Sequence, residues 1–253
     1  MLLDHHTAGA RMARWTPPAV FDNRSRHVDR FGTLLALTAT SVVCLSLFGV
    51  DSLSDGLLPR LGGLAVTVSV GATLLLSLRA AGVALVWIRI ADVVVGLSVA
   101  LSLTLVVLGL VHTASPADAN PTAAPVVWLV LSLAATVVVV ARLLRHREVT
   151  LRTVQGAISA YLLISVSYYY LFRTVHDLQD GFFRTPANPP EFMYFSLSNL
   201  ATLGIGDLVP RSRLARLLTV SEAVVGQVFL VTFVALIVGL LAERWRRRGD
   251  IAP

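Results

Sequence analysis

The sequence predicts an all-α membrane protein with six transmembrane helices and a re-entrant helix and strand between the fifth and the sixth. Three observations predict this fold. Hydrophobic residues make up 55% of the 253 residues and charged residues only 14%, a balance unlike that of soluble domains. The apolar residues come in long blocks rather than in amphipathic periods. Arginines stand at the ends of these blocks, where they orient membrane proteins.

Residues 1–30 are polar and contain five arginines, but no apolar core of the signal-peptide type. We therefore expect a cytoplasmic N-terminal tail. Cys44 is the single cysteine of the chain. It excludes an intrachain disulfide and a cysteine-based metal site.

Six apolar blocks follow, each near the roughly 20 residues that a helical span needs. They are residues 31–50, 61–78, 90–111, 126–144, 154–172 and 214–241. The segment between the fifth and sixth blocks contains an amphipathic run too short to span, residues 191–201, and then a strand with two glycines. Non-helical backbone at membrane depth is tolerated only where it lines a water-filled path or is buried in protein.

The arginines also predict the topology. With both termini in the cytoplasm, fifteen of the 21 arginines lie inside, which agrees with an even number of spans in the cell membrane. The glycine strand then lies on the outer side. The predicted organisation is a tail at 1–30, a four-helix membrane domain at 31–147, a domain at 148–243 that holds the last two spans, and a short basic cytoplasmic tail at 244–253.

The glycine strand has a composition suited to binding cations through the backbone. Glycine at alternate positions lets φ take both signs, so that successive carbonyls can point the same way. Several such strands around one axis would form rings of oxygens that replace the hydration shell of a cation. The chain has one such strand, so the rings need several copies of the chain. The strand consists of Thr202, Leu203, Gly204, Ile205, Gly206 and Asp207.

Residues 154–247 resemble the pore domain of potassium channels, in which an outer helix, a pore helix, a filter and an inner helix follow one another. The run from Tyr194 to Asp207 is similar to the pore-helix and filter sequence of that family, and residues 156–158, 161–163 and 222–227 resemble its bacterial members. The resemblance covers a little over a third of the chain. It implies a homotetramer, in which three identical subunits complete the pore and K⁺ passes down its gradient.

The resemblance assigns roles to the strand. The backbone carbonyls of Thr202, Leu203, Gly204 and Ile205 would coordinate K⁺, the permeant ligand, and the Thr202 hydroxyl would complete the innermost site. Asp207 would concentrate cations at the outer mouth. The carbonyl end of the pore helix would point its negative dipole toward the central cavity.

Three positions depart from the family pattern. Ile205 stands where most potassium channels have Tyr or Phe, Phe195 where many have Trp, and Ala201 where Thr is common. None of the three offers the usual hydrogen bond. We therefore expect a filter supported by apolar packing rather than by hydrogen bonds, with weaker or condition-dependent selectivity. The expected support residues are Tyr194, Phe195, Ser198, Asn199 and Ala201.

The sixth block is the expected inner helix. Gly226 is either a hinge, as in the family, or a plain packing contact. Gln227, Val234 and Val238 are expected to line the cavity and its inner exit, where apolar positions gate by dewetting. Glu222 would cost several kcal/mol if isolated in lipid. We expect it to make a structural polar contact with Arg or a backbone group rather than to sense protons.

The fourth block does not have the pattern of a voltage sensor. A sensor needs arginine at every third residue through the membrane, whereas residues 126–140 carry no charge. Basic residues instead follow its inner end, where they either set the topology or bind anionic lipid headgroups. Arg89 and Asp92, one turn apart, predict a local ion pair. The basic residues at and after the inner end of the fourth block are Arg142, Arg145, Arg147 and Arg152.

Two alternatives remain open at this point, a weakly selective monovalent cation channel and a non-conducting accessory membrane protein. An enzyme is not expected, because no Gly-x-Ser-Gly, paired intramembrane Asp or zinc-type His cluster occurs. The net charge of +6 is explained by arginines that orient the chain, so no nucleic-acid partner is expected. No cofactor is expected either.

Overall fold

The computed structural model describes residues 31–48, 57–80, 85–111, 123–144, 151–179 and 181–249. The predicted N-terminal tail, residues 250–253, Arg145 and Arg147 lie outside these ranges. Within them the chain is all-helical, because a helix pairs its backbone polar groups internally where water is absent. The seven helices are α1 (Phe31–Leu47), α2 (Leu57–Ala80), α3 (Leu85–Val111), α4 (Ala123–Leu143), α5 (Leu151–Leu178), α6 (Pro189–Leu200) and α7 (Arg213–Gly249).

Three of the described helices contain segments that are long and apolar enough to cross a bilayer. These are Leu61–Arg79 in α2, Val126–Leu143 in α4 and Arg213–Gly239 in α7. Phe31–Leu47 is apolar but shorter. The chain is therefore an integral membrane protein, as the composition predicted. The count of six spans stays a prediction.

Helix α5 lies at the centre of the packing. It packs against α1, α4, α6 and α7, while α4 also contacts α2, and α2 contacts α1 and α3. The side chains of Leu163, Tyr169 and Phe172 on α5 are fully buried. One hydrophobic core runs from α1 through α6, so the first four helices and the segment that follows them share buried surface.

Buried hydroxyl groups join helices across this core. Ser41 Oγ of α1 lies 2.7 Å from Thr73 Oγ1 of α2, and Thr136 Oγ1 of α4 lies 3.0 Å from Ser167 Oγ of α5. A hydroxyl in an apolar environment needs such a partner. Interhelical bonds of this kind in membranes contribute about 0.6 kcal/mol each on average.

The predicted ion pair between Arg89 and Asp92 is wrong in its basic partner. Arg79 Nη2 lies 2.7 Å from Asp92 Oδ1, so the pair joins the end of α2 to the second turn of α3. The packing of α2 on α3 brings this guanidinium to the carboxylate. Tertiary contact therefore outweighs the spacing of one turn within α3.

Candidate functional site

The glycine strand follows α6, a helix of 12 residues that is too short to cross a bilayer. Pro189 begins the helix, and the Glu191 carboxylate accepts a hydrogen bond of 2.8 Å from the Asn188 backbone N–H. This bond closes the first turn. The predicted amphipathic run at 191–201 thus corresponds to α6 within two residues.

A cluster of phenylalanine rings attaches α6 to α5. The ring of Phe195 lies 4.9 Å from that of Phe183 and 5.6 Å from that of Phe172, between centroids. Phe172 in turn lies 4.7 Å from Phe182. Edge-to-face contacts between aromatic rings add to the burial of their apolar area. Phe195, which was expected to support the strand, therefore packs α6 against Phe172 of α5 and against Phe183.

The segments before α6 and after the strand are hydrogen-bonded to each other. Phe183 and Pro210 form an isolated antiparallel bridge. The Arg184 N–H donates to the Val209 carbonyl at 3.0 Å, and the Arg211 N–H donates to the Phe182 carbonyl at 2.8 Å. Helix α6 and the glycine strand therefore lie in a loop whose first and last residues are hydrogen-bonded to each other.

The C-terminus of α6 is continuous with the start of the strand. The Thr202 N–H donates to the Asn199 carbonyl and the Leu203 N–H to the Ser198 carbonyl, each at 2.9 Å. This pair of bonds, with Thr202 at φ 55°, is a Schellman motif. Thr202, the first residue of the strand, is therefore the residue directly after the C-cap of α6. Ala201, expected to support the strand, is the C-cap of α6.

Positive φ angles recur at every second residue of the strand. They are 55° at Thr202, 62° at Gly204 and 80° at Gly206. Thr202 is the single non-glycine residue with positive φ among the residues that the structure describes, and a β-branched side chain is strained there. A backbone whose φ alternates in sign can turn successive carbonyls to the same side, as the glycine spacing predicted.

The strand is exposed along its whole length. Leu203 is 65% and Ile205 56% exposed, and a Cβ added at Gly204 would find no heavy atom within 4 Å beyond its chain neighbours. Exposed apolar side chains on an unsupported strand are unusual unless another surface covers them. The exposed strand is therefore typical of a surface that another molecule covers.

Hydrogen bonds nevertheless hold both ends of the strand. The Tyr194 hydroxyl donates to the Asp207 carboxylate, and this bond raises the pKa of Tyr194 above its ordinary value. At the other end, Gln227 Nε2 donates to Thr202 Oγ1 at 3.3 Å. These bonds act at the two ends of the strand, and the expected apolar packing in place of hydrogen bonds behind Ile205 stays a prediction. The donors come from positions other than the three that depart from the family pattern.

Residues 156–243 match the family described as ion channel. These residues form an ion channel domain. The match runs from α5 to α7 and includes α6 and the whole glycine strand, and it confirms the resemblance to the pore domain of potassium channels. No curated protein and no solved structure matches the chain.

Helix α7 of the ion channel domain contacts α6 through a buried carboxyl group. Glu222 is fully buried. Its Oε1 atom lies 2.5 Å from Ser196 Oγ, and its Oε2 atom accepts a hydrogen bond of 2.8 Å from Asn199 Nδ2. The same amide nitrogen donates to the Thr219 carbonyl at 2.7 Å. The predicted polar contact is therefore present, but its partners are two side chains of α6 rather than Arg or a backbone group.

Gly226 is a close packing contact between α7 and α6. A Cβ at this position would lie 2.7 Å from Leu200 Cδ1 and 2.9 Å from the Leu200 carbonyl oxygen. That carbonyl also accepts a hydrogen bond of 3.0 Å from the Tyr161 hydroxyl of α5. The absence of a side chain thus lets α7 approach the end of α6. Of the two interpretations of Gly226, the geometry shows the contact.

The other side chains predicted to line the cavity or to support the strand do not all lie close to the strand. Gln227 reaches Thr202, whereas Val234 and Val238 are 56% and 59% exposed and lie farther along α7. Ser198 directs its hydroxyl to the Phe195 carbonyl within α6 at 3.0 Å. Within the part of the chain that the structure describes, no cluster of His, Cys, Asp or Glu is placed to hold a metal ion. The oxygen atoms available at the strand are the backbone carbonyls, the Thr202 hydroxyl and the Asp207 carboxylate.

Two residues that join α6 to its neighbours were not assigned a role from the sequence. Tyr161 binds the Leu200 carbonyl, and Ser196 joins Glu222 to Ser165 of α5. Tyr161 lies in a run that resembles bacterial potassium channels, which was a signal for it. Ser196 lies in the run that resembles the pore-helix sequence, but a serine on an amphipathic helix is common on either face, so its bond to Glu222 was not predictable.

Proposed function

We propose that four copies of this chain form a potassium channel whose selectivity filter is the strand from Thr202 to Asp207. The observation that carries the proposal is the positive φ at every second residue of a strand that continues a short helix within an ion channel domain. In this proposal the carbonyls of Thr202, Leu203, Gly204 and Ile205 replace the water shell of K⁺.

The charges around the strand favour a cation. Asp207 is exposed and would form a ring of carboxylates at the outer mouth, which raises the local concentration of cations. The carbonyl end of α6 carries a partial negative charge. The described partners of the Asp207 carboxylate are the Tyr194 hydroxyl and the Leu208 N–H, and neither is basic.

The exposed surfaces support an assembly of identical subunits. The strand and much of α7 are exposed in the single chain, including Val224, Val228 and Val231. Lipid can cover apolar side chains of α7, but it cannot satisfy the polar backbone of a strand at membrane depth. Three further copies placed around one axis would close the carbonyl rings, since each chain contributes one strand.

We further propose that α1 to α5 and α7 cross the cell membrane, with α6 re-entrant and both termini cytoplasmic. Helix α6 supports the re-entrant assignment, because its 12 residues are too few to cross a bilayer. The first four helices carry no sensor-type arginines and would support the pore domain. Arg142, in the last turn of α4, would contact anionic headgroups together with Arg145, Arg147 and Arg152.

A weakly selective cation channel is the second candidate, and one observation favours it. The Ile205 side chain is 56% exposed and has no group that can hydrogen-bond to α6. A filter held at its ends but not at this central position deforms more easily. Such a filter would discriminate less between K⁺ and Na⁺ than one with a hydrogen-bonded side chain there.

Ion flux into liposomes tests the proposal. The purified full chain is reconstituted, and uptake of K⁺ and of Na⁺ is measured separately, with the subunit count obtained by cross-linking. Selective K⁺ uptake by a tetramer supports the first candidate, and equal uptake of both ions supports the second. Absence of uptake by a correctly assembled protein contradicts both and favours a non-conducting accessory protein.

A pair of glycine variants identifies the filter. Gly204→Ala places a side chain at φ 62° in open space, which strains the strand without a clash elsewhere. Gly239→Ala is the matched control, because Gly239 is helical and a Cβ there meets nothing within 4 Å. We expect the first change to abolish or strongly reduce uptake and the second to preserve it. Equal uptake by both variants would contradict the assignment of the filter.

A further inference from the structure

The buried Glu222 carboxyl has no cationic partner among the residues that the structure describes. Its described contacts are the Ser196 hydroxyl and the Asn199 amide of α6, while Tyr161 and Ser165 face the same region from α5. No Arg or His among the described residues forms an ion pair with it. An ionised carboxylate held away from water with no counter-ion is unfavourable. The hydrogen bonds around Glu222 indicate whether its carboxyl group carries a proton.

The hydrogen atoms around Ser196 can be counted. The Ser196 hydroxyl oxygen lies 2.5 Å from Glu222 Oε1, 2.9 Å from the Ser165 carbonyl oxygen and 2.9 Å from Ser165 Oγ. A hydroxyl has one hydrogen to donate. The Ser165 carbonyl is an acceptor only, and an ionised carboxylate is an acceptor only. With an ionised Glu222, Ser196 would face two acceptors with a single hydrogen.

A protonated Glu222 resolves the conflict. Glu222 donates its proton to Ser196, and Ser196 donates its own hydrogen to the Ser165 carbonyl. The Ser165 hydroxyl donates to the second lone pair of Ser196. On the other side, the two hydrogens of Asn199 Nδ2 go to the Thr219 carbonyl and to Glu222 Oε2. Every donor then has one acceptor, and each oxygen accepts no more bonds than it has lone pairs.

We propose that Glu222 stays protonated at neutral pH and is a positioning residue that links α7 to the start of the filter. The consequence for conduction rests on the proposed function, whereas the protonation state does not. Glu222 binds the Asn199 side chain, and the Asn199 carbonyl accepts the N–H of Thr202. The turn that places Thr202 at φ 55° is thereby joined to α7 through one residue.

Infrared spectroscopy tests the protonation state directly. The full chain in lipid is labelled with isotopically enriched glutamate, and its spectrum at neutral pH is compared with that of Glu222→Gln. We expect the wild-type protein to show a C=O stretching band of a protonated carboxyl that the variant lacks. A spectrum in which no such band disappears overturns the proposal, whether or not the protein conducts ions.

Potassium flux tests the positioning role. Glu222→Gln offers one N–H to Ser196 and one oxygen to Asn199, so we expect flux per tetramer within about twofold of wild type. Glu222→Ala removes the bonds that join α7 to Ser196 and Asn199 through this side chain, and we expect a loss of about tenfold or more. Ser221→Ala is the matched control, because Ser221 contacts Tyr168 and Leu218 but not α6, and we expect wild-type flux.

Each outcome of the flux experiment has one meaning. If Glu222→Gln loses as much flux as Glu222→Ala, the negative charge is required and the protonated link is overturned. If Ser221→Ala loses as much as Glu222→Ala while the tetramer stays intact, the effect is general to α7 and the positioning role is overturned. If the wild-type tetramer itself passes no ions, the proposed function fails while the infrared result still decides the protonation state.

Discussion

Replacing Gly226 with alanine measures how closely α7 must approach α6. The added Cβ would lie 2.9 Å from the Leu200 carbonyl oxygen and 2.7 Å from Leu200 Cδ1. The leucine side chain can turn away, but the carbonyl belongs to the last turn of α6 and already binds the Tyr161 hydroxyl. The backbone of one helix must therefore move, and the end of α6 next to the glycine strand must move with it.

The expected magnitude follows from three contributions. Alanine is more favourable than glycine inside a helix by about 1 kcal/mol. An extra methyl group in a packed interface costs about 1–3 kcal/mol, and loss of the bond between Tyr161 and Leu200 costs about 1 kcal/mol more. We expect Gly226→Ala to destabilise the protein by about 1–3 kcal/mol in net terms. Gly239→Ala, which meets nothing within 4 Å, keeps the helical gain alone and is expected to stabilise by up to about 1 kcal/mol.

The assay is unfolding in detergent micelles with SDS as the denaturant, followed by circular dichroism and tryptophan fluorescence. The difference between the free energies of unfolding of the two alanine variants isolates the contact, because both changes occur on the same helix. If the two variants are stabilised alike, α7 is not held against α6 at Gly226. In that case the reasoning is wrong, and the hinge interpretation is favoured over the packing contact.

Three further predictions concern the outer mouth, selectivity and the first helices. The bond to Asp207 raises the pKa of Tyr194 above its ordinary value of 10.0. The neutral phenol therefore stabilises this end of the strand below pH 10.0, and that stabilisation is lost as the pH rises through the raised pKa of Tyr194. Alkaline titration of phenolate absorbance, with Tyr194→Phe subtracted, should show late ionisation, and ionisation at or below pH 10.0 would contradict the bond. Ile205→Tyr should increase the preference for K⁺ over Na⁺ in bi-ionic reversal potentials, and a strong preference unaltered by the change would remove the argument for a deformable filter. Arg79 and Asp92 form a partly exposed ion pair. A double-mutant cycle of alanine variants should therefore show a coupling free energy of no more than about 1 kcal/mol. A coupling free energy of several times that value would mean that the pair is buried in the assembled protein.

The positions of the helices and of the strand were predictable because they depend on local composition. A run of apolar residues in a bilayer has few alternatives to a helix, and the structure shows helices over the six apolar blocks within its described residues. The alternating φ angles were predictable for a related reason, since glycine at every second position removes the steric penalty for positive φ. Thr202 extends the alternation to a residue for which no such freedom exists, because it ends α6 in a Schellman motif.

The partners of polar groups were not predictable, because they depend on which helices meet. Asp92 has arginines at comparable reach on its own helix and on α2, and the packing of α2 on α3 selects Arg79. Glu222 was expected to bind Arg or a backbone group, and the approach of α7 to α6 gives it Ser196 and Asn199 instead. Gly226 allows either bending or contact by its chemistry alone, and the nearby carbonyl of Leu200 shows the contact.

The sequence by itself therefore determined a helical membrane protein in which one glycine strand follows a short helix. These features depend on the hydrophobic effect and on steric limits to φ, both of which act on neighbouring residues along the chain. The tertiary structure decided how that strand is held: by Tyr194 at Asp207, by Gln227 at Thr202, and by Glu222 through α6. Hydrogen bonds are directional and reach about 3 Å, so their partners exist only once helices distant in sequence have packed together.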